Sequence, residues 1–169
     1  MHRDRNLFPL SHSHQRGLGL CVLVQRDLAS DASPQNIARQ AARILDHYNG
    51  EILEHFLVEE RDLFPVLSGM PELAPLVREL MAEHAQIASL AAAISYRAAR
   101  ETLEEFCQLL SAHIRKEERQ LFPQVQDRLS QQQLEELGAQ LPAYDAPRTS
   151  RNASIAAPRA PAVSPLGMT

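Results

Sequence analysis

The sequence predicts an all-α fold, an antiparallel up-down-up-down four-helix bundle with a short extra C-terminal helix and a disordered tail. Two observations support this prediction. Apolar residues recur with the 3.6-residue period of amphipathic helices over most of the chain. Val, Ile, Thr and aromatic residues nowhere cluster in the alternating pattern of strands. Four long helical segments with short connections and one apolar stripe each are typical of such a bundle.

The first two helices have recognisable limits. The periodicity predicts helix one from about Ser11 to Leu28. Ser33 as N-cap and Pro34 at the first helical position mark the start of helix two. Helix two is expected to continue to about Phe64. Pro65 should break or kink it there, because proline lacks a backbone N–H and clashes with the preceding turn.

The second pair of helices is bounded by similar signals. Helix three is expected to start near Pro71 or Pro75 and to end near Tyr96, with an Ala-rich middle that favours helix. Thr102-Leu103-Glu104-Glu105 has the pattern of a capping box and is expected to open helix four. Helix four should then reach Phe122.

The C-terminal part of the chain changes in character. A short fifth helix is predicted to start at Ser130, with Gln133 completing a second capping box. Residues 1–141 are therefore expected to form one bundle domain. Residues 142–169 are rich in Pro, Ala and Ser and hold too little apolar surface to offset the entropy of ordering, so they are predicted to be disordered.

Composition excludes several classes of function. The chain has 169 residues, of which 44% are hydrophobic and 22% charged, enough for a globular core. Its net charge of −4 and its lack of a basic block argue against a nucleic-acid partner. No apolar run is long enough to span a membrane and no signal peptide is apparent. Cys21 and Cys107 are expected to be buried free thiols, which favours a reducing cytoplasm.

One eleven-residue phrase occurs twice, starting at His55 and at His113, and seven of its positions match. Each copy has a His and a Glu four residues apart, His55 with Glu59 and His113 with Glu117, which on a helix share one face. An isolated pair of this kind is usually a solvated ion pair. Its repetition together with its neighbours instead favours imidazole–carboxylate ligands for a transition metal.

The ends of the phrase have a separate interpretation. Its Leu-Phe-Pro ending is expected to pack in the core and to end the helix. The second Glu and the Arg of each copy are expected to form surface ion pairs. Alternatively, Glu60 or Glu118 reaches inward as an extra carboxylate ligand.

Two further histidines lie on predicted buried faces. His84 shares its face with apolar residues that include Met81 and Ala88. On helix one, His12 and His14 are separated by about 200° and cannot both face the core. Leu10, Leu18 and Cys21 surround His14, so His14 is predicted to point inward and His12 outward.

The candidate ligands form two matching halves, His14/His55/Glu59 and His84/His113/Glu117. Four imidazoles and two carboxylates are too many for one zinc ion and suit two metal ions bridged by carboxylates. The sequence therefore predicts a dinuclear site between the helices.

These motifs resemble the hemerythrin-like (HHE cation-binding) family. The resemblance spans about Leu7 to Leu141. It rests on Leu10-Ser11-x-x-His14, His55-x-x-x-Glu59, Glu83-His84, and His113-x-x-x-Glu117 followed by Leu121-Phe122-Pro123. It implies an antiparallel four-helix bundle with two non-haem iron ions, capped by His and bridged by the two carboxylates. The spacing alone does not select iron over manganese or zinc.

The chain departs from the oxygen carriers of that family at one position. Those proteins have a second His one turn after the helix-three His, where this chain has Ala88, and one turn before lies Leu80. One protein ligand is thus missing unless Glu60, Glu118 or a water replaces it. More open coordination favours chemistry or sensing over oxygen transport.

Three functions remain open at this point. The first is a di-iron domain that binds or reacts with dioxygen, peroxide or nitric oxide in sensing, detoxification or repair. The second is a regulatory module in which iron occupancy itself is the signal, without catalysis. The third is a helical interaction module with surface His–Glu pairs, which does not explain the repeat. The predicted partner is a small diatomic or peroxide ligand, and no protein partner can be identified.

Overall fold

The computed structural model describes residues 3–140, and these residues are helical with no strand among them. The described residues form five helical rods. The first rod is α1 (Phe8–Ser30), preceded by a 3₁₀ turn at Arg5–Leu7. The third is α5 (Ala74–Tyr96) and the last is α8 (Gln131–Gln140). The predicted disordered segment, 142–169, lies outside the described residues.

The second and fourth rods are built from several segments each. The second rod contains α2 (Pro34–His47), a π-helical turn (Tyr48–Ile52), α3 (Leu53–Val58), a second π-helical turn (Glu59–Leu63) and α4 (Phe64–Ser68). The fourth rod contains α6 (Arg100–Lys116), a π-helical turn (Glu117–Leu121) and α7 (Phe122–Arg128).

The prediction that Pro65 and Pro123 end their helices was wrong. Each proline lies in the first turn of a new α segment that directly follows a π-helical turn. The wider π turn shifts the hydrogen-bond register. Each proline therefore lies in the first turn of an α segment, where a backbone N–H would have no intrahelical acceptor, so the lack of this N–H in proline costs no hydrogen bond. The rods therefore continue past both prolines, to Ser68 and Arg128.

The helix starts agree with the sequence in part. Ser33 caps α2 by accepting a hydrogen bond from the Asn36 N–H, as predicted. The capping box at Thr102 was wrong, because α6 begins at Arg100 with Ala99 as its N-cap residue. Ahead of α8, Ser130 Oγ accepts from the Gln133 N–H, and the Gln133 side chain accepts from the Ser130 N–H.

The rods enclose a core with a polar centre. The first rod packs on the second and fourth, and the third packs on the second and fourth. One apolar cluster includes Val24, Phe106 and Ile87, and the other includes Leu10, Leu80 and Phe122. Along each of the first four rods a buried His or Glu lies between these two clusters. Among residues 3–140 no helix is long and apolar enough to cross a membrane.

Candidate metal centre

The six predicted site residues meet at the centre of the core. Two groups of four residues bring one ligand atom each to within 4.8 Å of one another. The first group is His14, His55, Glu59 and Glu117; the second is Glu59, His84, His113 and Glu117. Each group contains one of the predicted halves and adds the carboxylate of the other half. Glu59 and Glu117 therefore belong to both groups.

The imidazoles of each group lie close to one another. His14 Nε2 is 3.1 Å from His55 Nε2, and His84 Nε2 is 3.2 Å from His113 Nε2. Two nitrogens that bind one ion at about 2.1 Å and at right angles to each other are separated by about 3.0 Å. The spacing within each pair therefore fits two ligands of one ion.

The two shared carboxylates are enclosed by the protein. Glu59 and Glu117 are 0% exposed, and none of their four oxygens accepts a hydrogen bond within the described part of the chain. His55 Nε2 lies 3.2 Å from Glu59, and His14 Nε2 lies 3.1 Å from Glu117. A buried carboxylate without hydrogen bonds is costly unless a cation accompanies it. The donor set thus fits bound metal cations.

In three of the four imidazoles, the second ring nitrogen, Nδ1, faces away from the centre and donates a hydrogen bond to a carboxylate. His14 Nδ1 is 2.7 Å from Glu118, His84 Nδ1 is 2.8 Å from Glu60, and His113 Nδ1 is 2.9 Å from Glu83. A carboxylate can only accept, so the imidazole Nδ1–H donates. The lone pair of Nε2 is then free to face the centre, the arrangement that metal-binding histidines adopt.

The surface-pair interpretation of Glu60 and Glu118 was therefore wrong. Each accepts from a histidine of another rod, and neither belongs to the two ligand groups. Glu118 also accepts from Ser11 Oγ at 2.8 Å. Arg61 forms a surface ion pair, as predicted, but its partner is the neighbouring Asp62. Helical periodicity predicts contacts along one helix only, so the histidine partners of Glu60 and Glu118 on another rod were missed. The presence of this second Glu in both copies of the phrase was the available signal.

Aromatic rings hold the same imidazoles in place. Phe122 stacks on His14 with ring centroids 5.3 Å apart, and Phe64 stacks on His84 at 5.5 Å. Phe56 lies on the other side of the site, 3.7 Å from the His84 centroid and edge-on to His113. The rings exclude water from the imidazole faces and restrict their rotation.

Two described histidines with no predicted ligand role, His12 and His47, lie elsewhere. His12 is half-buried and stacks with Phe8, so the choice of His14 over His12 agrees with the structure. His47 Nδ1 is 4.0 Å from Glu51, outside both groups. Met81 and Ala88, which were expected on the buried face of His84, are exposed. Ala88, where the oxygen carriers have their second histidine, thus does not face the centre.

The charges of the centre shift the pKa values of its groups. Burial alone would lower the pKa of His14, but the carboxylates of Glu117 and Glu118 beside its two ring nitrogens outweigh it and raise this pKa to about 9. Burial would raise the pKa of Glu118, but the hydrogen bond from His14 lowers it to about 2. Burial likewise favours neutral Glu59, yet His55 and His84 hold its pKa well below the usual range. The pKa of His84 is raised as well, so without metal the protons on His14 and His84 balance the buried carboxylates.

A small cavity adjoins the imidazoles. Its volume is about 10 Å³, and it is bounded by His14, His55, His113 and apolar side chains. Gly17 lies at its edge, where an added Cβ would be 3.0 Å from Ile114 Cδ1. A space of this size holds about one water-sized molecule.

Comparison with known proteins agrees with this centre. The model of a family described as the hemerythrin HHE cation binding domain matches residues 8–125. A search of curated proteins and a search of solved structures each found no match.

Proposed function

The chain belongs to the hemerythrin HHE cation-binding domain family, and we propose that its core binds two bridged iron ions that bind or react with dioxygen, peroxide or nitric oxide. His14 and His55 would hold one ion, and His84 and His113 the other. Glu59 and Glu117 would bridge the two. The bundle that carries them is proposed to be antiparallel, up-down-up-down, within residues 1–141. The neighbouring contacts of successive rods support that topology.

The overlap of the two ligand groups is the observation that carries the proposal. A mononuclear site would need no carboxylate that lies close to two separate pairs of imidazoles. Six ligand residues are also more than one four-coordinate ion can bind. Here each pair of imidazoles has both carboxylates within 4.8 Å. Shared carboxylates of this kind are typical of dinuclear sites in helical bundles.

The ligand chemistry favours iron and a small partner. Imidazole and carboxylate ligands suit Fe(II), although manganese and zinc accept them as well. Bound iron would supply the electrons that dioxygen, peroxide or nitric oxide accepts. The residues of the chain position the ions, and the Phe and Leu layers exclude bulk water. The 10 Å³ cavity at His14, His55 and His113 has room for about one water-sized molecule and is too small for an organic substrate.

Both proposed ions would have the same protein ligands, two imidazoles and two shared carboxylates. Glu60 and Glu118 are each engaged by a histidine Nδ1, which disfavours them as replacements for the ligand missing at Ala88. Four protein ligands leave coordination positions for solvent or a small ligand at each ion. This open coordination favours a reactive or sensing centre over oxygen transport.

A second function, an iron-sensing module without catalysis, is favoured by the unpartnered carboxylates. Glu59 and Glu117 are fully buried and accept no hydrogen bond within residues 3–140, so metal occupancy should contribute strongly to stability. The two functions differ in one measurement. A reactive centre changes its absorption spectrum on exposure to air, peroxide or nitric oxide. A pure iron sensor gains thermal stability from iron but shows no reaction with these molecules.

Metal analysis combined with absorption spectroscopy tests the proposal. We expect two irons per chain after expression in iron-rich medium, and an oxo-to-iron charge-transfer band after exposure to air. His55→Ala and His113→Ala should each lose metal. His12→Ala is the matched control, because His12 lies outside both groups, and it should retain two irons. Absence of stoichiometric metal in the wild type, or unchanged metal content in His55→Ala, would refute the proposal.

A further inference from the structure

Lys116 is the only lysine in the chain, and it lies beside the metal centre. The other basic residues among its 17 Lys and Arg are all Arg. Lys116 ends α6, directly before Glu117, which belongs to both ligand groups. Its ammonium group donates hydrogen bonds to two carboxylates of the third rod, Glu79 at 2.5 Å and Glu83. A compact ammonium with three donors suits a position between two carboxylates, whereas the arginine fork matches a single one.

Glu83 connects this lysine to the centre. One of its oxygens, Oε1, accepts from Lys116, and the other, Oε2, accepts from His113 Nδ1 at 2.9 Å. The side chains of Glu83 and Lys116 are only 13% and 18% exposed, so solvent screens their attraction less than that of an open surface pair. On the far side of the ring, His113 Nε2 lies 3.2 Å from His84 Nε2. A continuous chain of contacts therefore runs from the ammonium group to the imidazole that faces the centre.

The two halves of the centre differ at both positions of this pair. In the repeated phrase, Lys116 corresponds to Val58. In the first and third rods, Ser13 corresponds to Glu83, because each directly precedes the ligand histidine. Val58 and Ser13 are both buried. Lysine and glutamate thus occur together in one half and are replaced together in the other, which indicates that the two residues act as one unit.

We propose that Lys116 is a positioning residue of the centre, which holds the Glu83 carboxylate against His113 Nδ1 and so fixes the direction of the His113 Nε2 lone pair. This inference rests on the proposed metal centre, in which His113 is a ligand. A hydrogen-bond acceptor on the second nitrogen orients a metal-binding histidine, and that acceptor is in turn held by further contacts. Glu79 keeps the ammonium group over the third rod. Without that group, Glu83 is free to turn toward solvent and the His113 ring is free to rotate.

NMR of the imidazole protons in chelator-treated protein tests this role without any metal. In the wild type, the proton on His113 Nδ1 should exchange slowly with solvent, because it is buried and hydrogen-bonded. Lys116→Met keeps a long side chain but loses the charge, and we expect the exchange of this proton to become several-fold faster. The Nδ1 protons of His14 and His84 are internal controls, because they are donated to other carboxylates and should keep their rates.

Two further variants separate the charge of Lys116 from other effects. Lys116→Arg keeps a positive charge beside Glu83 and should retain slow exchange at His113. Arg115→Met removes a charge from the same turn of α6, at an exposed residue outside both ligand groups, and should leave the rate unchanged. An unchanged rate at His113 in Lys116→Met would overturn the proposal. Equal acceleration at all three histidines would overturn it as well, because it would reflect a general loosening of the fold.

Fe(II) binding, measured without oxygen by competition with a chelator, gives a second readout. Lys116→Met should bind Fe(II) several-fold more weakly than the wild type, whereas Lys116→Arg and Arg115→Met should match it. Wild-type affinity in Lys116→Met would contradict the positioning role. The two proposals fail separately. Absence of stoichiometric iron in the wild type would refute the di-iron centre and leave the exchange result standing, and an unchanged exchange rate would leave the iron content of the wild type unaffected.

Discussion

The pKa of His14 makes the stability of the metal-free protein depend on pH. This pKa is raised from 6.5 to about 9 by contacts with Glu117 and Glu118. A group whose pKa is raised in the folded state stabilises the fold fully below its unfolded value, and this contribution is lost as pH rises through the folded value. Chelator-treated protein should therefore lose stability between pH 6.5 and pH 9. His84, whose pKa is also raised, acts in the same direction.

The size of this effect follows from the shift. Each pKa unit corresponds to about 1.36 kcal/mol, so a rise from 6.5 to about 9 corresponds to about 3 kcal/mol for His14. That is a large part of the 5–15 kcal/mol that typically stabilises a domain. Glu59 and Glu118 do not oppose the trend. Their pKa values are lowered, so their contributions are complete above about pH 4.5 and are lost only as pH falls.

Urea unfolding followed by circular dichroism measures the effect. Chelator-treated wild type at pH 6.5, 7.5, 8.5 and 9 should show a progressive fall in the free energy of unfolding. His14→Gln should reduce the slope and leave the part that His84 contributes, whereas His12→Gln should keep the whole slope because His12 lies outside the centre. A wild-type stability that is flat over this range, or an unchanged slope in His14→Gln, would refute the reasoning.

Three further outcomes are expected. Metal affinity, measured by competition with a chelator, should rise toward pH 9 because His14 must lose its proton to bind; a flat profile would contradict this. Glu118→Gln should weaken metal binding by about 10- to 100-fold, since it orients His14; wild-type affinity would count against that role. In urea unfolding, Gly19→Ala should stabilise the protein by about 0.5–1 kcal/mol, because nothing lies within 4 Å of the added Cβ. Gly17→Ala should bring no gain in stability, because its added Cβ contacts Ile114. Equal effects at both glycines would argue against this packing.

Helical periodicity predicted what depends on one helix at a time. His14 and His12 differ by about 200° on the same helix, and the apolar neighbours of His14 were sufficient to identify it as the buried one. The Ser33-Pro34 start of the second rod was equally local, since an N-cap hydroxyl and an N1 proline act within one turn. Local signals of this kind need no knowledge of the neighbouring rods.

The path of the second and fourth rods past their prolines was not predictable from the same rules. A π-helical turn preserves the apolar stripe on both sides but changes the hydrogen-bond register between them. The sequence rules therefore predict helix ends at Pro65 and Pro123, although each proline lies in the first turn of an α segment that continues the rod. The recurrence of Pro at the same position of both phrase copies was the only hint that it belongs to a functional unit.

The repeated phrase is best understood as a unit that connects two halves of the centre. Its His and first Glu face the metal site from their own rod. Its second Glu and its Phe contact the one histidine of a different rod that belongs to a ligand group. Glu60 and Phe64 hold His84, and Glu118 and Phe122 hold the equivalent His14.

These contacts between each phrase copy and a histidine of another rod have a consequence for metal binding. The two central carboxylates belong to both ligand groups, and each copy of the phrase also orients a histidine on another rod. Positioning the residues of one ligand group therefore also positions the residues that it shares with the other group. In the proposed dinuclear centre, binding of the first ion would place Glu59 and Glu117 for the second, so the centre should fill as a pair rather than as two independent sites.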